Sequence, residues 1–209
     1  MNEKQIVSGY IAAGFHALVV TDHYSRDAIW YSRNYPEKSG DDLFGFLQGY
    51  HRVKAEGECR GLRVFKGAEL RFDESINDYL LIGYRNELLQ DPEAVFAMGL
   101  AAFSEIAHKE GAFLVQAHPC RSNSRPPCFP ANVAHLDAIE VFNGNPRAQN
   151  HNPLAEQFAH SAPHLIRLSG SDCHQPEDIG RGGIYTGRMP EDEQDLIAML
   201  RNQKFTMIK

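Results

Sequence analysis

The stretch that decides the fold is SGSDCH, at residues 169–174. It follows the run HLIRL at 164–168, which predicts a buried strand, and regular structure is interrupted soon afterwards at Pro176. Asp172 and His174 are two residues apart just past this strand, so their side chains project on one side of the backbone. A carboxylate and an imidazole placed this way suit a transition metal or an acid–base pair; a polar turn with a helix cap is the alternative.

The same arrangement recurs at the ends of earlier predicted strands. His23 follows the apolar run ALVV, Glu69 ends the run RVFKGAE, His118 follows AFLVQA, and Asn143 follows AIEVF. Each residue alone has an ordinary explanation, such as a loop histidine, a strand-end charge or a turn former. Ligand-type residues at five separate strand ends are difficult to attribute to coincidence, so we interpret them as parts of one site.

Hydrophobic periodicity predicts strands that alternate with helices along the whole chain. Residues 25–40 are interpreted as a polar, aromatic loop. Because the strands are continuously apolar, we expect a mostly parallel sheet covered on both faces, within a single α/β domain. In a closed β/α barrel the carboxyl ends of the strands converge on one face, where active sites usually lie. Strands are predicted over 17–20, 63–72, 79–83, 112–117, 138–142, 164–168 and 183–186, and helices over 3–13, 42–56, 91–111, 147–161 and 191–202.

Composition excludes some classes of function. The chain has 209 residues, 43% of them hydrophobic, which is enough for a substantial core. A net charge of −6 with interspersed signs argues against a broad nucleic-acid surface but allows a small anionic substrate. The four cysteines are irregularly spaced and predict free thiols in a reducing compartment. With no apolar run of membrane-spanning length and no signal-peptide pattern, we expect a cytoplasmic protein without a membrane partner.

Five motifs in a fixed order resemble those of the PHP superfamily, the polymerase and histidinol phosphatase domain. They are TDH at 21–23, GAE at 67–69, AHP at 117–119, IEVFN at 139–143 and SDCH at 171–174. The resemblance covers nearly the whole chain. It implies a distorted (β/α)7 barrel that holds up to three metal ions and hydrolyses phosphoesters.

The resemblance also implies roles for individual residues. Glu69 would bridge two metals, His118 would complete the second, and Asp172 would bind the first, while His23 and His174 would bind the third. Glu69, Asp172 and His174 are the expected catalytic residues. Mixed imidazole and carboxylate ligands suit Zn, Mn or Fe better than Mg or Ca.

Further candidates surround this set. Many relatives place another ligand on the strand after the bridging glutamate, and here that neighbourhood offers Asp78 instead of a histidine. A phosphate group also needs polar or positive contacts, for which we expect Arg71, Arg121, Arg181 and Asn143. The alternative for each arginine is an ordinary surface charge.

The chain departs from the family pattern at its start. PHP proteins begin with a strand that carries His-x-His, followed by another histidine, whereas this chain starts almost at the helix predicted over 3–13. We therefore expect a barrel that lacks its first strand through N-terminal truncation. The first metal would lose two ligands and the third would lose one, so this chain should hold fewer ions than a complete relative.

Three functional hypotheses follow. The first is a metal-dependent phosphoesterase acting on a small phosphorylated metabolite or nucleotide. The second is a catalytically impaired PHP-like module that binds a phosphorylated ligand or a protein partner. The third is an amidohydrolase-type metal enzyme, which would call for a strand-borne lysine or an early His-x-His, and the sequence shows no early His-x-His.

Overall fold

The structure is a computed structural model that describes residues 1–34, 42–123 and 127–209. Its helices are α1 (Glu3–Ala12), α2 (Arg26–Arg33), α3 (Asp42–Arg60), α4 (Pro92–Lys109), α5 (Asn152–Ser161) and α6 (Glu193–Arg201). Its strands are β1 (Ala17–Val20), β2 (His23–Tyr24), β3 (Arg63–Arg71), β4 (Asp78–Ile82), β5 (Phe113–Gln116), β6 (Ala138–Asn143), β7 (Ile166–Gly170), β8 (Gly183–Thr186) and β9 (Phe205–Ile208). Single turns of 3-10 helix cover Asn86–Leu89, Val133–His135 and Pro176–Asp178.

The main sheet has seven strands and a mixed direction. Its order is β1-β3-β4-β5-β6-β7, and β2 pairs with β3 beyond the end of β1. β4 is antiparallel to both β3 and β5, while the other pairs in this sheet are parallel. β8 and β9 form a separate antiparallel pair. The predicted α/β fold is confirmed as a mixed sheet with helices, whereas a (β/α)7 barrel lacking its first strand stays a prediction: within the described residues the sheet curls and stays open, with β1 and β7 at its two ends.

Local sequence signals account for several element boundaries. Asn2 caps α1 through a capping box with Gln5. Asp91 caps α4, and Pro92 occupies the first turn, where its missing N–H costs nothing. Every residue of β5 is buried, as its continuous apolar sequence predicts for a strand with both faces covered.

Two apolar clusters pack helices against the main sheet, one from each side. One joins the sheet to α4 and includes Leu81, Phe103 and Leu114. The other joins the sheet to α6 and includes Phe113 and Leu168, with partners that also come from β3 and β4. The sheet is therefore fixed from both sides, which sets the positions of its strand ends.

Four elements differ from the sequence-based expectation, one of them β2, which was not predicted as a strand. The predicted loop at 25–40 contains α2, which Ser25 caps and which buries Ile29, while its aromatic residues lie at the surface. Residues 35–40 of that loop lie outside the described part of the chain. α5 begins five residues later than expected, at Asn152, and β9 was not predicted. Among the described residues, no helix has both the length and the apolarity that crossing a bilayer demands.

We expect Phe113→Ala to lower the free energy of unfolding by about 3–5 kcal/mol, because it removes a fully buried ring from the cluster shared by the sheet and α6. Leu154→Ala is the control, since this leucine is 53% exposed on α5 and should change stability by about 0.5 kcal/mol or less. Urea denaturation measures both. A loss for Phe113→Ala as small as that of the control would contradict this account of the core.

Candidate metal centre

The site is built around Glu69, a buried carboxylate near the end of β3. Its Oε2 lies 2.9 Å from Nδ1 of His23, and its Oε1 lies 3.1 Å from Nε2 of His118. The register places His23 beside Glu69, because β2 pairs with β3 in parallel at this position. Imidazoles that follow two different strands thus converge on one carboxylate.

Asp78 also lies close to Glu69, although it stands at the start of its strand. It is the first residue of β4 and pairs with Arg71 at the end of β3. Since β4 runs antiparallel, its start lies beside the end of β3. Donor atoms of Glu69, Asp78 and His118 all lie within 4.8 Å of one another, and all three residues are buried.

Two arginines contact Asp78. Arg71 binds it in a bidentate way, with Nε–Oδ1 and Nη2–Oδ2 distances of 2.7 Å each. Nη2 of Arg121 lies 3.3 Å from Oδ2 of Asp78, and its Nη1 lies 3.8 Å from Oδ2 of Asp172. Two guanidinium groups therefore share the buried carboxylate of Asp78, and Arg121 lies between that carboxylate and Asp172.

Asp172 and His174 lie on the loop after β7. Asp172 has a left-handed backbone (φ 47°), and its buried Oδ2 accepts no hydrogen bond from any residue that the structure describes. Nδ1 of His174 lies 3.0 Å from the carbonyl oxygen of Asp172. When Nδ1 donates to that carbonyl, Nε2 keeps its lone pair available for a metal. The rings of His174 and His23 are 5.9 Å apart, so the loop faces the Glu69 group.

The charged groups at the centre shift one another's pKa values. Burial alone would raise the pKa of Glu69, but hydrogen bonds with His118 and His23 outweigh it and lower that pKa. Burial would lower the pKa of His118, yet hydrogen bonds with Cys128 and Glu69 raise it to about 10. The hydrogen bond to Glu69 raises the pKa of His23 as well. In the metal-free protein, the negative charge of Glu69 is thus balanced by protonated imidazole.

A second buried carboxylate supports the backbone of His118. Glu140, on β6, accepts a hydrogen bond from the backbone N–H of His118 at 2.8 Å and one from Nδ2 of Asn143 at 2.9 Å. His118 has a positive φ of 28°, which is unusual for a residue with a side chain. Burial raises the pKa of Glu140 to about 6. A side chain at position 170 would collide with this carboxylate, so only glycine fits there.

Glu140 lies within the motif IEVFN at 139–143, for which the sequence alone predicts no role of this glutamate. The signal was present, because a charged residue inside the apolar run IEVF has to find partners when the strand is buried.

The expected phosphate contacts divide into two groups. Arg71 and Arg121 lie at the centre and line a groove there. Arg181 does not line this groove; it is exposed and donates from Nε to the carbonyl of Glu177 at 2.6 Å. Asn143 is 3% exposed, and its side chain bonds to Glu140, to the backbone N–H of Asn145 and to Asn150. Arg181 and Asn143 thus use their polar groups within the protein, although Asn143 also lines the groove, and the phosphate contact expected of these two residues stays a prediction.

The groove beside the centre has a volume of about 1330 Å³ and runs between the edges of β1 and β7. His23, Glu69, His118, Asp172 and His174 line it. Apolar side chains from several strands line it too, among them Val19, Leu80, Val115 and Leu168. The structure thus brings five of the six predicted metal ligands to one open surface, and the sixth, Asp78, lies buried behind them.

The donors present fit a transition-metal ion. Three of them already lie within 4.8 Å of one another, they combine imidazole with carboxylate, and Asp172 adds a buried oxygen that accepts no hydrogen bond from the described residues. Asp78 fits less well, because Arg71 occupies both of its oxygens.

Comparisons with known proteins agree with this picture. A family model described as PHP-associated matches residues 149–205. A two-domain protein from Bacteroides vulgatus, containing a predicted PHP-like metal-dependent phosphoesterase, is 18% identical with a TM-score of 0.67; the match covers 98% of this chain and 59% of that one. This chain therefore spans about three fifths of the length of that protein. A comparison with curated proteins finds no match.

Two further structures have the same fold. PsfC from Pseudomonas syringae is 17% identical with a TM-score of 0.68, over 98% of this chain and 81% of its own. A candidate metal-dependent phosphoesterase from Bifidobacterium adolescentis is 15% identical with a TM-score of 0.52, over 96% of this chain and 90% of its own. At such identities the likeness concerns the fold. Together with the PHP-associated segment, it confirms the resemblance read from the sequence.

We expect the metal-free protein to lose stability as the pH rises from 7 towards 9. The folded-state pKa of His118 is raised to about 10, so its contribution is full below the unfolded value near 6.5 and is lost as the pH rises towards 10. His118→Gln should flatten this slope, and His160→Gln, which removes an exposed histidine of α5, should not. Thermal melts in a chelator at fixed ionic strength measure the effect. Equal slopes for the two variants would show that His118 does not carry the charge assigned to it.

Proposed function

We propose, from the fold and the PHP-associated segment that tie this chain to the PHP superfamily, that the protein is a metal-dependent phosphoesterase with a multinuclear site. Its substrate would be a small phosphorylated metabolite or a nucleotide. The observation that carries the proposal is the buried Glu69 carboxylate, which His23 and His118 contact from two sides at the rim of a groove. We assign catalysis to Glu69, Asp172 and His174.

The donor set supports Zn, Mn or Fe over Mg or Ca, because it mixes imidazole with carboxylate oxygen. Glu69 and His118 would hold one ion, with Asp78 joining them if Arg71 releases it. Glu69, Asp172, His23 and His174 would contribute to the others. Bound divalent ions supply Lewis-acid polarisation of a phosphoryl oxygen and lower the pKa of bound water.

The substrate class follows from the arginines. Arg71 and Arg121 both line the groove and both contact the carboxylate of Asp78, while Arg121 also lies 3.8 Å from Asp172. A phosphate oxygen could replace part of these carboxylate contacts as a partner of the guanidinium groups. The net charge of the chain is −6, so these two arginines favour a small anion over an extended nucleic acid.

The open edges of the sheet support a further part of the proposal. Among the described strands, none lies between β1 and β7, which run parallel to each other and border the groove. We propose that a further strand fills this space and ends among the candidate ligands. Histidines at its end would complete the first and third metal positions, and full activity would depend on it.

One observation favours the alternative, a catalytically impaired module that binds a phosphorylated ligand or a protein partner. Arg71 occupies both oxygens of Asp78, which leaves a cationic pair where a third metal ligand is expected. Such a module would bind phosphate through Arg71 and Arg121 without turnover.

We also propose a cytoplasmic location. The four cysteines form no disulfide in the part of the chain that the structure describes, which suits a reducing compartment.

We expect Glu69→Gln to weaken binding of Zn²⁺ or Mn²⁺ by about 100-fold, because it removes the charged oxygen that lies between the two histidines. Glu87→Gln is the matched control, since Glu87 is exposed and far along the chain from the motifs, and it should bind metal like the wild type. Calorimetric titration measures the affinities. Unchanged affinity in Glu69→Gln would remove Glu69 from the ligand set. Inorganic phosphate binding without metal binding would favour the alternative function.

With the additional strand supplied by a longer version of the chain, we expect hydrolysis of p-nitrophenyl phosphate in Mn²⁺ or Zn²⁺. Glu69→Gln should nearly abolish kcat in that protein. Arg121→Ala should mainly raise KM, by about tenfold, because it removes a charge-assisted contact to the anion while the metal content stays the same. Steady-state kinetics with elemental analysis measure both. Full activity of Glu69→Gln would refute the mechanism.

A further inference from the structure

The loop after β7 carries two candidate ligands, yet Asp172 and His174 both lie beyond the last residue of that strand. The left-handed backbone of Asp172 also needs external support. What holds this loop is a buried carboxylate four residues after His174. Asp178 is 0% exposed, and its Oδ2 accepts the backbone N–H groups of His174 at 2.8 Å and Gln175 at 2.7 Å.

The charge that balances Asp178 comes from the neighbouring loop, which follows β6. Nη1 of Arg147 donates to Oδ1 of Asp178 at 2.6 Å, and Nη2 donates to Oδ2. The backbone N–H of Arg147 in turn donates to Oδ1 of Asn145 at 3.0 Å, and Nδ2 of Asn145 donates to the carbonyl of Asp172 at 2.9 Å. The loop after β7, called the ligand loop below, is thus held by the loop after β6 at both candidate ligands. Asn145 holds the backbone of Asp172, and Arg147 holds the Asp178 carboxylate that binds the backbone of His174.

Close packing accompanies these bonds. A side chain at Gly144 would collide with the backbone of Arg181, and one at Gly182 would collide with the backbone of Gly170. Burial alone would raise the pKa of Asp178, but the hydrogen bonds from Arg147 and from the backbone of His174 and Gln175 lower it to about 2. Asp178 is therefore an anion fully compensated by the two loops that it joins.

We propose that the Arg147–Asp178 ion pair is a positioning device for Asp172 and His174, setting where these two groups stand relative to Glu69. Neither Arg147 nor Asp178 lines the groove. The assignment rests on the proposed metal centre, and it adds two residues that the motifs do not contain. A merely structural ion pair would affect global stability alone, whereas a positioning pair affects the ligand loop and metal affinity beyond its effect on stability.

The chain offers a matched control in Asp195. Like Asp178, Asp195 accepts a backbone N–H, from Glu191 at 2.9 Å, and binds an arginine in a bidentate way, Arg188, at 2.5 and 2.6 Å. Its pKa is likewise lowered to about 2, by the hydrogen bonds from Arg188 and from that N–H. Asp178→Asn and Asp195→Asn therefore each remove a bidentate arginine–aspartate pair. The Asp178 carboxylate is fully buried beside the loop after β7, and the Asp195 carboxylate on α6 is 23% exposed, so the melts correct for the larger effect on stability expected at Asp178.

The test combines three measurements on each variant. Thermal melts report global stability, and titration with Zn²⁺ or Mn²⁺ alone reports affinity. The rate of iodoacetamide alkylation at Cys173, followed by peptide mass spectrometry, reports the exposure of the loop, because Cys173 lies between the two candidate ligands and is partly buried. Burial and the nearby charge of Asp178 both raise the pKa of this thiol, so the rate is also compared with that of Arg147→Lys, which keeps both charges of the pair. We expect Asp178→Asn to accelerate alkylation at Cys173 and to weaken metal binding by about tenfold, whereas Asp195→Asn changes neither. Arg147→Lys, which keeps the charge but loses the bidentate geometry, should fall between the wild type and Asp178→Asn.

Each outcome decides the matter. If Asp178→Asn shifts only the melting temperature, with alkylation and affinity unchanged, the pair is structural and the proposal is overturned. If the wild type binds no metal, the proposed function fails by itself, and the Cys173 rate still shows whether the pair holds the loop. If Asp178→Asn does not fold, Arg147→Lys and Asp195→Asn supply the comparison.

Discussion

A carboxylate buried in the interior must be compensated, and Glu69 meets this requirement with two imidazoles from other parts of the chain. The need for both contacts constrains the sheet. β2 has to continue beside β3 past the end of β1, and the turn after β5 has to bring His118 back across β4. The curl of the sheet brings its strand ends together, and the ionic contacts of Glu69 form where these ends meet.

The strands were predictable from the sequence because their apolar runs are continuous, but their directions were not. Hydrophobic periodicity gives the length and the faces of a strand and carries no information about its direction. Asp78 shows the consequence. At the start of an antiparallel strand it lies beside the end of β3, whereas in an all-parallel sheet the same residue would lie at the opposite edge. The elements missed, α2, β2 and β9, are short, and the aromatic residues of α2 lie at the surface, where they do not mark a core.

The candidate site was predicted unevenly for a related reason. The spacing of Asp172 and His174, and the strand-end positions of Glu69 and His118, follow from local sequence. Whether a polar side chain at such a position faces the groove or the protein depends on tertiary partners that lie far away in the chain. The sequence predicts a phosphate contact for Asn143 and gives no sign that its side chain also bonds to Glu140, while Arg147 and Asp178 gave no local signal at all.

The balance of charge explains how so acidic a centre can be stable without a metal ion. Glu69, Asp78 and Asp172 would repel one another if left bare, but protonated imidazole lies against Glu69, and guanidinium groups lie against Asp78 and near Asp172. The carboxylates are therefore held close together before any ion arrives. Because His118 bears a proton that a metal would have to displace, binding an ion is coupled to proton release and not to the assembly of a new pocket. In the proposed metal site, the cost of collecting the ligands would be met during folding, and an ion would have to overcome the attraction of the protein's own cations.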